Sequence, residues 1–231
     1  MPKAGKAHRL HFVRLWYSYF LMKSVAKQVA QALVSINGVG FVPNNPITFK
    51  SGILSPMYLD NRKFPSFPRE WRVVLDGFSQ MIEKNNIQFD MIAGIETAGI
   101  PHSAGLAVVL SKPSVFVRKQ AKDHGTKKMV EGGEVSGKKV LLIEDLVTTG
   151  GSSLAGVREL RAAGAIVTDC LVIVSYGLAE ANLAFAKESV NLVALTDVNN
   201  VVEAAAEAGK LDESGKKVVL EWLQNPREWK G

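Results

Sequence analysis

The sequence predicts an α/β fold: a doubly wound, mostly parallel sheet with helices on both faces, plus a small cap from the N- and C-terminal segments. Three observations carry this. From Asp90 onward, short β-rich runs (DMIAGI, SVFVRK, KKVLLIED, IVTDCLVIVSY, NLVALT) alternate with helical ones (IPHSAGLAVVL, SSLAGVRELRAAGA, LAEANLAFAKES). The strand runs are continuously apolar, as strands buried on both faces must be. Each strand passes to its helix through Gly, Ser or Asp, the connection of a βαβ unit.

The elements follow in order. Residues 1–21 read as an N-terminal extension, and residues 22–231 as a single domain. Between Met22 and Ile36, Val25, Val29, Leu33 and Ile36 recur at helical spacing, and Asn37-Gly38 ends the run. Residues 41–62 carry turn signals and short extended runs, the first part of the cap. Ser66 and Pro68 announce a second helix through Trp71, Val74, Leu75, Phe78 and Ile82. After the alternating region, residues 197–224 read as two helices stopped by Asn225-Pro226, so that 197–226 form the second part of the cap. Ligands of such folds bind at the carboxyl ends of the strands.

At 231 residues and 47% hydrophobic composition the chain can bury a full core. The formal charge of +6 suits an anionic ligand, yet the basic residues are spread along the chain, which does not indicate nucleic acid. Cys170, the only cysteine, sits in the apolar run CLVIVSY and reads as a buried strand residue; an internal disulfide and a thiolate metal cluster are excluded. The stretch MPKAGKAHRLHFVRLWYSYFLMK places basic residues before an apolar run, but Arg14 interrupts it and no small-x-small cleavage site follows. It is also shorter than the ~20 apolar residues a bilayer needs. A cytoplasmic protein without a membrane partner is expected.

The chemistry is concentrated in a few segments. In KKVLLIEDLVTTGGSS, Glu144 and Asp145 end a buried strand, and Thr148, Thr149, Gly150, Gly151 and Ser152 lead into a helix. Main-chain N–H groups and hydroxyls at such a helix start wrap a phosphate monoester. The G-x-x-x-x-G-K-[ST] pattern and its lysine are absent, so this is not a nucleotide P-loop. Two acids beside a phosphate site make sense if the ligand also brings hydroxyls, as a ribose does, or a Mg²⁺ held mainly by water and substrate oxygens. Alternatively, the segment is an N-capped βα turn with solvated acids. In VRKQAKDHGTKKMVEGG, the stretch from Arg118 to Lys128 sets Arg118, Lys119, Lys122, Lys127, Lys128 and His124 against the single acid Asp123. It reads as a loop able to close over a polyanion, or else as a solvated charged loop. TFKSGILSPMYLDNR supplies Lys50 for an anion and Tyr58 for a planar ring or for the core. AGIETAGIPHSAG is a Gly-rich strand-to-helix turn that could hold a second phosphate.

Together these segments resemble the type I phosphoribosyltransferases. IEDLVTTGGSS resembles their signature for phosphoribosyl pyrophosphate (PRPP), and VRKQAKDHG beside FKSGILSPMYLD resembles the orotate phosphoribosyltransferases in particular. The likeness runs in order from about residue 22 to 226. It implies transfer of 5-phosphoribosyl from PRPP to orotate, with Mg²⁺ carried by PRPP, in a homodimer whose subunits share active sites. Carried over by position, PRPP falls to Lys50, Arg118, Lys119, Lys122, His124, Glu144, Asp145, Leu146, Val147, Thr148, Thr149, Gly150, Gly151 and Ser152. Within that set the resemblance makes Lys122, His124 and Asp145 catalytic; Thr148 and Tyr58 would meet orotate, and Ile95 to Ile100 the pyrophosphate. At two positions the chain departs from the pattern: Ala98 stands where many members have Lys, and Tyr176-Gly177 where many have an Asp-Arg pair whose Arg binds the orotate carboxylate. The competing readings are a phosphoribosyltransferase for another base and a PRPP-sensing regulator that binds nucleic acid.

Overall fold

The computed structural model describes residues 25–49, 51–120 and 128–231. The spacing of Val25, Val29, Leu33 and Ile36 buries all four along and just past helix α1 (25–35). Asn37, at φ 54°, turns the chain out of it; Asn tolerates this left-handed region better than most residues. Two short antiparallel pairs follow: β1 (Val39–Phe41) with β4 (Met57–Leu59), and β2 (Ile47–Thr48) with β3 (Leu54–Ser55).

A 3-10 turn over Asn61–Ser66, not foreseen in the sequence, carries Pro65 inside it. The next helix, α2 (Pro68–Lys84), therefore starts later than Ser66 suggests. Phe67 is its N-cap and Pro68 opens its first turn, where a missing N–H costs no hydrogen bond. Val74, Leu75, Phe78 and Met81 form its buried face.

The central sheet contains β5 (Met91–Ile95), β6 (Ser114–Val117), β7 (Val130–Glu131), β8 (Val140–Val147), β9 (Asp169–Ser175) and β10 (Asn191–Asp197). Their spatial order is β10-β9-β8-β5-β6-β7. Every neighbouring pair is parallel except β6 with β7. β7 escapes sequence reading because two residues carry no period. β8 runs two residues past Asp145, since Leu146 and Val147 still pair with Val174 and Ser175. Cys170 is fully buried in β9, and burial pushes its thiol well up.

The helices α3 (Gly99–Leu110), α4 (Gly151–Ala162), α5 (Ala179–Lys187), α6 (Val198–Glu207) and α7 (Glu213–Gln224) complete the chain. Leu106 of α3 shares one core with Phe78 of α2 and Val201 of α6. Leu154 and Val157 of α4 share another with Ala181 and Phe185 of α5. Helices thus cover both faces, as the continuous apolar strands require.

From β5 the chain crosses through α3 to β6, whereas from β8 it crosses through α4 to β9, in the opposite direction across the sheet. The carboxyl ends of β5 and β8 flank this switch point, where an open α/β sheet leaves its crevice. Trp222 of α7, fully buried, donates its Nε1–H to the Leu54 carbonyl at 2.6 Å. Its ring meets Tyr176 and Phe49 edge-on at centroid distances of 5.6 and 6.1 Å. The C-terminal helix and the β2–β3 hairpin are thereby fastened to the carboxyl end of β9.

Candidate active site at the β5/β8 switch point

The site begins with two carboxylates in a strand. Glu144 is buried and Asp145 partly so. Glu144 Oε1 accepts the Asp145 N–H at 3.2 Å, and its Oε2 accepts the Ser153 hydroxyl at 3.5 Å. Burial holds the Glu144 carboxyl well above the usual carboxylate range, and the Asp145 charge beside it adds to the shift. Burial also raises Asp145, opposed by the charges of Arg62 and Lys119 among others. Such a pair is costly to ionise and suits a ligand that brings hydroxyl donors to it.

The sign of that cost gives a test. An acid whose folded pKa lies above its unfolded value loses stability as pH climbs past the unfolded value, because the unfolded chain releases its proton first. Glu144→Gln keeps a carbonyl to accept the Asp145 N–H while removing one charge. Its Tm at pH ~7 should rise by a few degrees, the size of a ~1 kcal/mol gain. The gain should fade as pH falls toward 4.5, the ordinary Glu value. Thermal unfolding of both proteins at the two pH values checks this; a lower Tm for the variant at neutral pH contradicts it.

Beyond Val147 the chain forms the loop of Thr148, Thr149 and Gly150 and enters α4. Gly150 is the N-cap at φ 83°, a conformation that suits glycine, and no side chain caps the helix. By contrast Asp197 and Asp212 cap α6 and α7 with their carboxylates. The leading N–H groups of α4 are therefore left for an anion, which the helix dipole also favours. They open on a cavity of about 510 Å³ whose wall includes Leu146, Thr148, Thr149 and Gly150 to Ser153. Phe49, Ser51 and Ile95 close it on other sides.

Arg118 and Lys119 supply the positive wall of the same cavity. The Arg118 guanidinium pairs with Glu131 of β7 at 3.2 Å and donates to the Gln120 carbonyl at 3.1 Å, which fixes its place. The Lys119 main-chain N–H donates to Glu96 Oε2 at 2.9 Å, tying the start of the basic segment to the turn after β5. Glu96 belongs to the turn from Ile95 to Ile100 that the sequence assigns to pyrophosphate, but its bond to the Lys119 N–H was not foreseen.

The structure thus gathers Arg118, Lys119, Leu146, Thr148, Thr149, Gly150, Gly151 and Ser152 around one cavity, with Glu144 and Asp145 immediately before its loop. Val147 is buried in the core and its carbonyl accepts the Tyr176 N–H at 2.9 Å. Tyr58 is exposed on β4 beside Gly40 and does not line the cavity; Phe49 is the aromatic ring on its wall. Lys50, Lys122, His124 and the extension 1–21 lie outside the described residues. Gly177, at φ 70°, is exposed, with its N–H donated to Ser175 Oγ at 3.0 Å. That N–H is engaged, so it is not a ready donor to a base.

Comparison with known proteins identifies the family. Residues 68–219 match the family described as the phosphoribosyl transferase domain. An orotate phosphoribosyltransferase of Coxiella burnetii is 40% identical over 204 residues, covering 88% of this chain and 98% of that one. One of Bacillus caldolyticus is 41% identical over 201 residues, covering 87% and 97%. Among solved structures, orotate phosphoribosyltransferase of Aeropyrum pernix superposes with a TM-score of 0.69 at 30% identity, covering 78% of this chain and 98% of that one. With the parallel sheet, the buried acids and the uncapped α4 already in place, the chain belongs to the phosphoribosyl transferase domain family and, within it, to the orotate phosphoribosyltransferases.

Proposed function

We propose that the protein transfers the 5-phosphoribosyl group of PRPP to the ring nitrogen of orotate, giving orotidine 5′-monophosphate and pyrophosphate in pyrimidine synthesis. The observation that carries this reading is the adjacency of Glu144 and Asp145 to an uncapped helix start. The two features suit neighbouring parts of one molecule: ribose hydroxyls for the acids and the 5′-phosphate for Thr148 to Ser152.

Breaking the C1–pyrophosphate bond leaves an oxocarbenium-like ribose and an anionic leaving group. Asp145 and Glu144 orient the ribose and favour its developing positive charge. Arg118 and Lys119, which line the cavity, favour the negative charge that leaves. We assign Lys122 and His124 to the same task, and Lys50 to PRPP, on the resemblance of their segments. Thr148 is the orotate contact on the cavity wall. Tyr58 is the second residue we assign to the base on the resemblance, although its exposed place on β4 lies off the wall that Phe49 occupies.

The Mg²⁺ of this reading fits as a companion of PRPP. Among the described residues no three His, Cys, Asp or Glu side chains converge to hold a metal; on the resemblance, PRPP itself would carry the ion, through its oxygens and water. When bound it supplies neutralisation of the pyrophosphate charge. A homodimer in which the basic segment reaches the neighbouring subunit's site follows from the resemblance. A cytoplasmic location follows from the resemblance; among the described residues no helix is long and apolar enough to cross a membrane.

Pyrophosphate release with PRPP and Mg²⁺ plus each of orotate, uracil, hypoxanthine and adenine tests the assignment. Turnover with orotate alone is expected. Turnover with another base and none with orotate would overturn it, and Gly177 would then mark where the acceptor changed.

A further inference from the structure

The carboxylate pair sits where the sheet loses a strand. The pairing of β5 with β8 ends at Gly94 opposite Ile143, and Asp145 is also passed over in the register between β8 and β9. A main-chain N–H and carbonyl at such a point need other partners. Glu144 Oε1 takes the Asp145 N–H. The carbonyl is taken by Asn61, whose Nδ2 donates to it at 2.8 Å across 84 residues of sequence.

Asn61 is fully buried at the start of the 3-10 turn. Its Oδ1 has no hydrogen-bond partner among the described residues, so its placement is not explained by a full set of bonds of its own. A buttress stands behind it. His102 of α3, also fully buried, accepts the Trp71 Nε1–H on Nδ1 at 3.1 Å, which leaves its proton on Nε2. Burial lowers its pKa to about 4, so the imidazole is neutral at physiological pH, and its Nε2 faces the Asn61 main chain without closing a hydrogen bond there. Phe64, in the same turn as Asn61, packs edge-on to the His102 ring at 6.3 Å.

We propose that Asn61, backed by His102 and Trp71, is a positioning residue for the acid pair. Its amide stands in for the strand that β8 lacks at this level and fixes the Asp145 peptide, and with it the directions in which both carboxylates leave the strand. This rests on the reading in which those acids hold the ribose hydroxyls.

The experiment compares two probes by calorimetry: inorganic phosphate, which needs only the 148–152 loop, and ribose 5-phosphate, which also needs the acids. The wild-type protein should bind ribose 5-phosphate more tightly; equal affinities would defeat the assignment of the ribose itself, before Asn61 is at issue. Given that preference, Asn61→Ala should lose about tenfold in ribose 5-phosphate affinity, the scale of one ribose-hydroxyl hydrogen bond lost when the carboxylates are no longer held in direction. Phosphate affinity should stay within about twofold, a split that general loosening of the fold would not produce. Asn61→Ser, smaller and still a donor, repeats the test should the alanine variant fail to fold. Equal losses for both probes, no loss for either, or failure of both variants to fold would assign Asn61 to the framework alone and overturn the proposal.

Discussion

Asp145→Asn is expected to lower the turnover number with PRPP and orotate by about 10²–10³-fold, the usual cost of losing one group aimed at transition-state charge. Asn is nearly isosteric, so shape and most hydrogen bonding survive. What disappears is negative charge beside a ribose that becomes cationic as pyrophosphate leaves. The effect should fall on kcat more than on KM for PRPP, because the proposed 5′-phosphate contacts of Thr148 to Ser152 would remain and ground-state ribose carries no charge. Stability should move the other way. Burial raises the Asp145 pKa, so the ionised residue is a cost to the folded chain above its ordinary value of 3.8, and the neutral variant should melt no lower than the parent at neutral pH. Loss of activity with unchanged or higher Tm separates a catalytic group from a structural one. Turnover within a factor of two or three of the parent would remove Asp145 from the chemistry.

The second large effect is on the scaffold. Gly94→Ala should destabilise the fold by about 2–3 kcal/mol, at the upper end of what overpacking a core costs. Gly94 lies in β5 between Phe116 of β6 and Ile143 of β8. A Cβ there would stand 2.3 Å from Ser103 Oγ and 2.6 Å from the Gly99 carbonyl oxygen. Ser103 is itself fastened to the Ile100 carbonyl at 2.9 Å, and Gly99 is main chain, so neither can yield without moving the start of α3. A chain of this size should lose roughly 5–10 °C in Tm. Because the displaced turn carries Glu96, which holds the Lys119 N–H, PRPP affinity should fall along with stability. Thermal unfolding with PRPP titration checks both; a Tm within a degree or two of the parent would show that the contact between β5 and α3 is looser than its geometry indicates.

The sheet was legible because its strands are long and continuously apolar. The run VLLI reads as a strand buried on both faces, and the small and hydroxylated residues that follow the two acids mark a helix start open to an anion. The residues that complete the site were not legible for a physical reason. Asn61, in the turn MYLDNR, has no periodicity, and its partner is a main-chain carbonyl on β8. His102 stands in the apolar run of α3, and only packing against Trp71 and Phe64 gives it a role. The 3-10 turn hid behind Pro65, which breaks helical spacing, and β7 was too short to show a pattern. Glu96 lay within the turn from Ile95 to Ile100 assigned to pyrophosphate, and its bond to the Lys119 N–H, 23 residues away, leaves no local pattern. Side chains that serve the backbone of a distant strand leave no local trace in the sequence.

The central claim is that one strand-loop-helix segment holds two parts of one ligand. A crystal structure of the complex with PRPP and Mg²⁺ tests it most directly. The 5′-phosphate should lie on the N–H groups and hydroxyls of Thr148 to Ser152, with the ribose hydroxyls within hydrogen-bond distance of Glu144 and Asp145. A 5′-phosphate seated instead at the start of α3, or ribose hydroxyls turned away from both acids, would contradict the account.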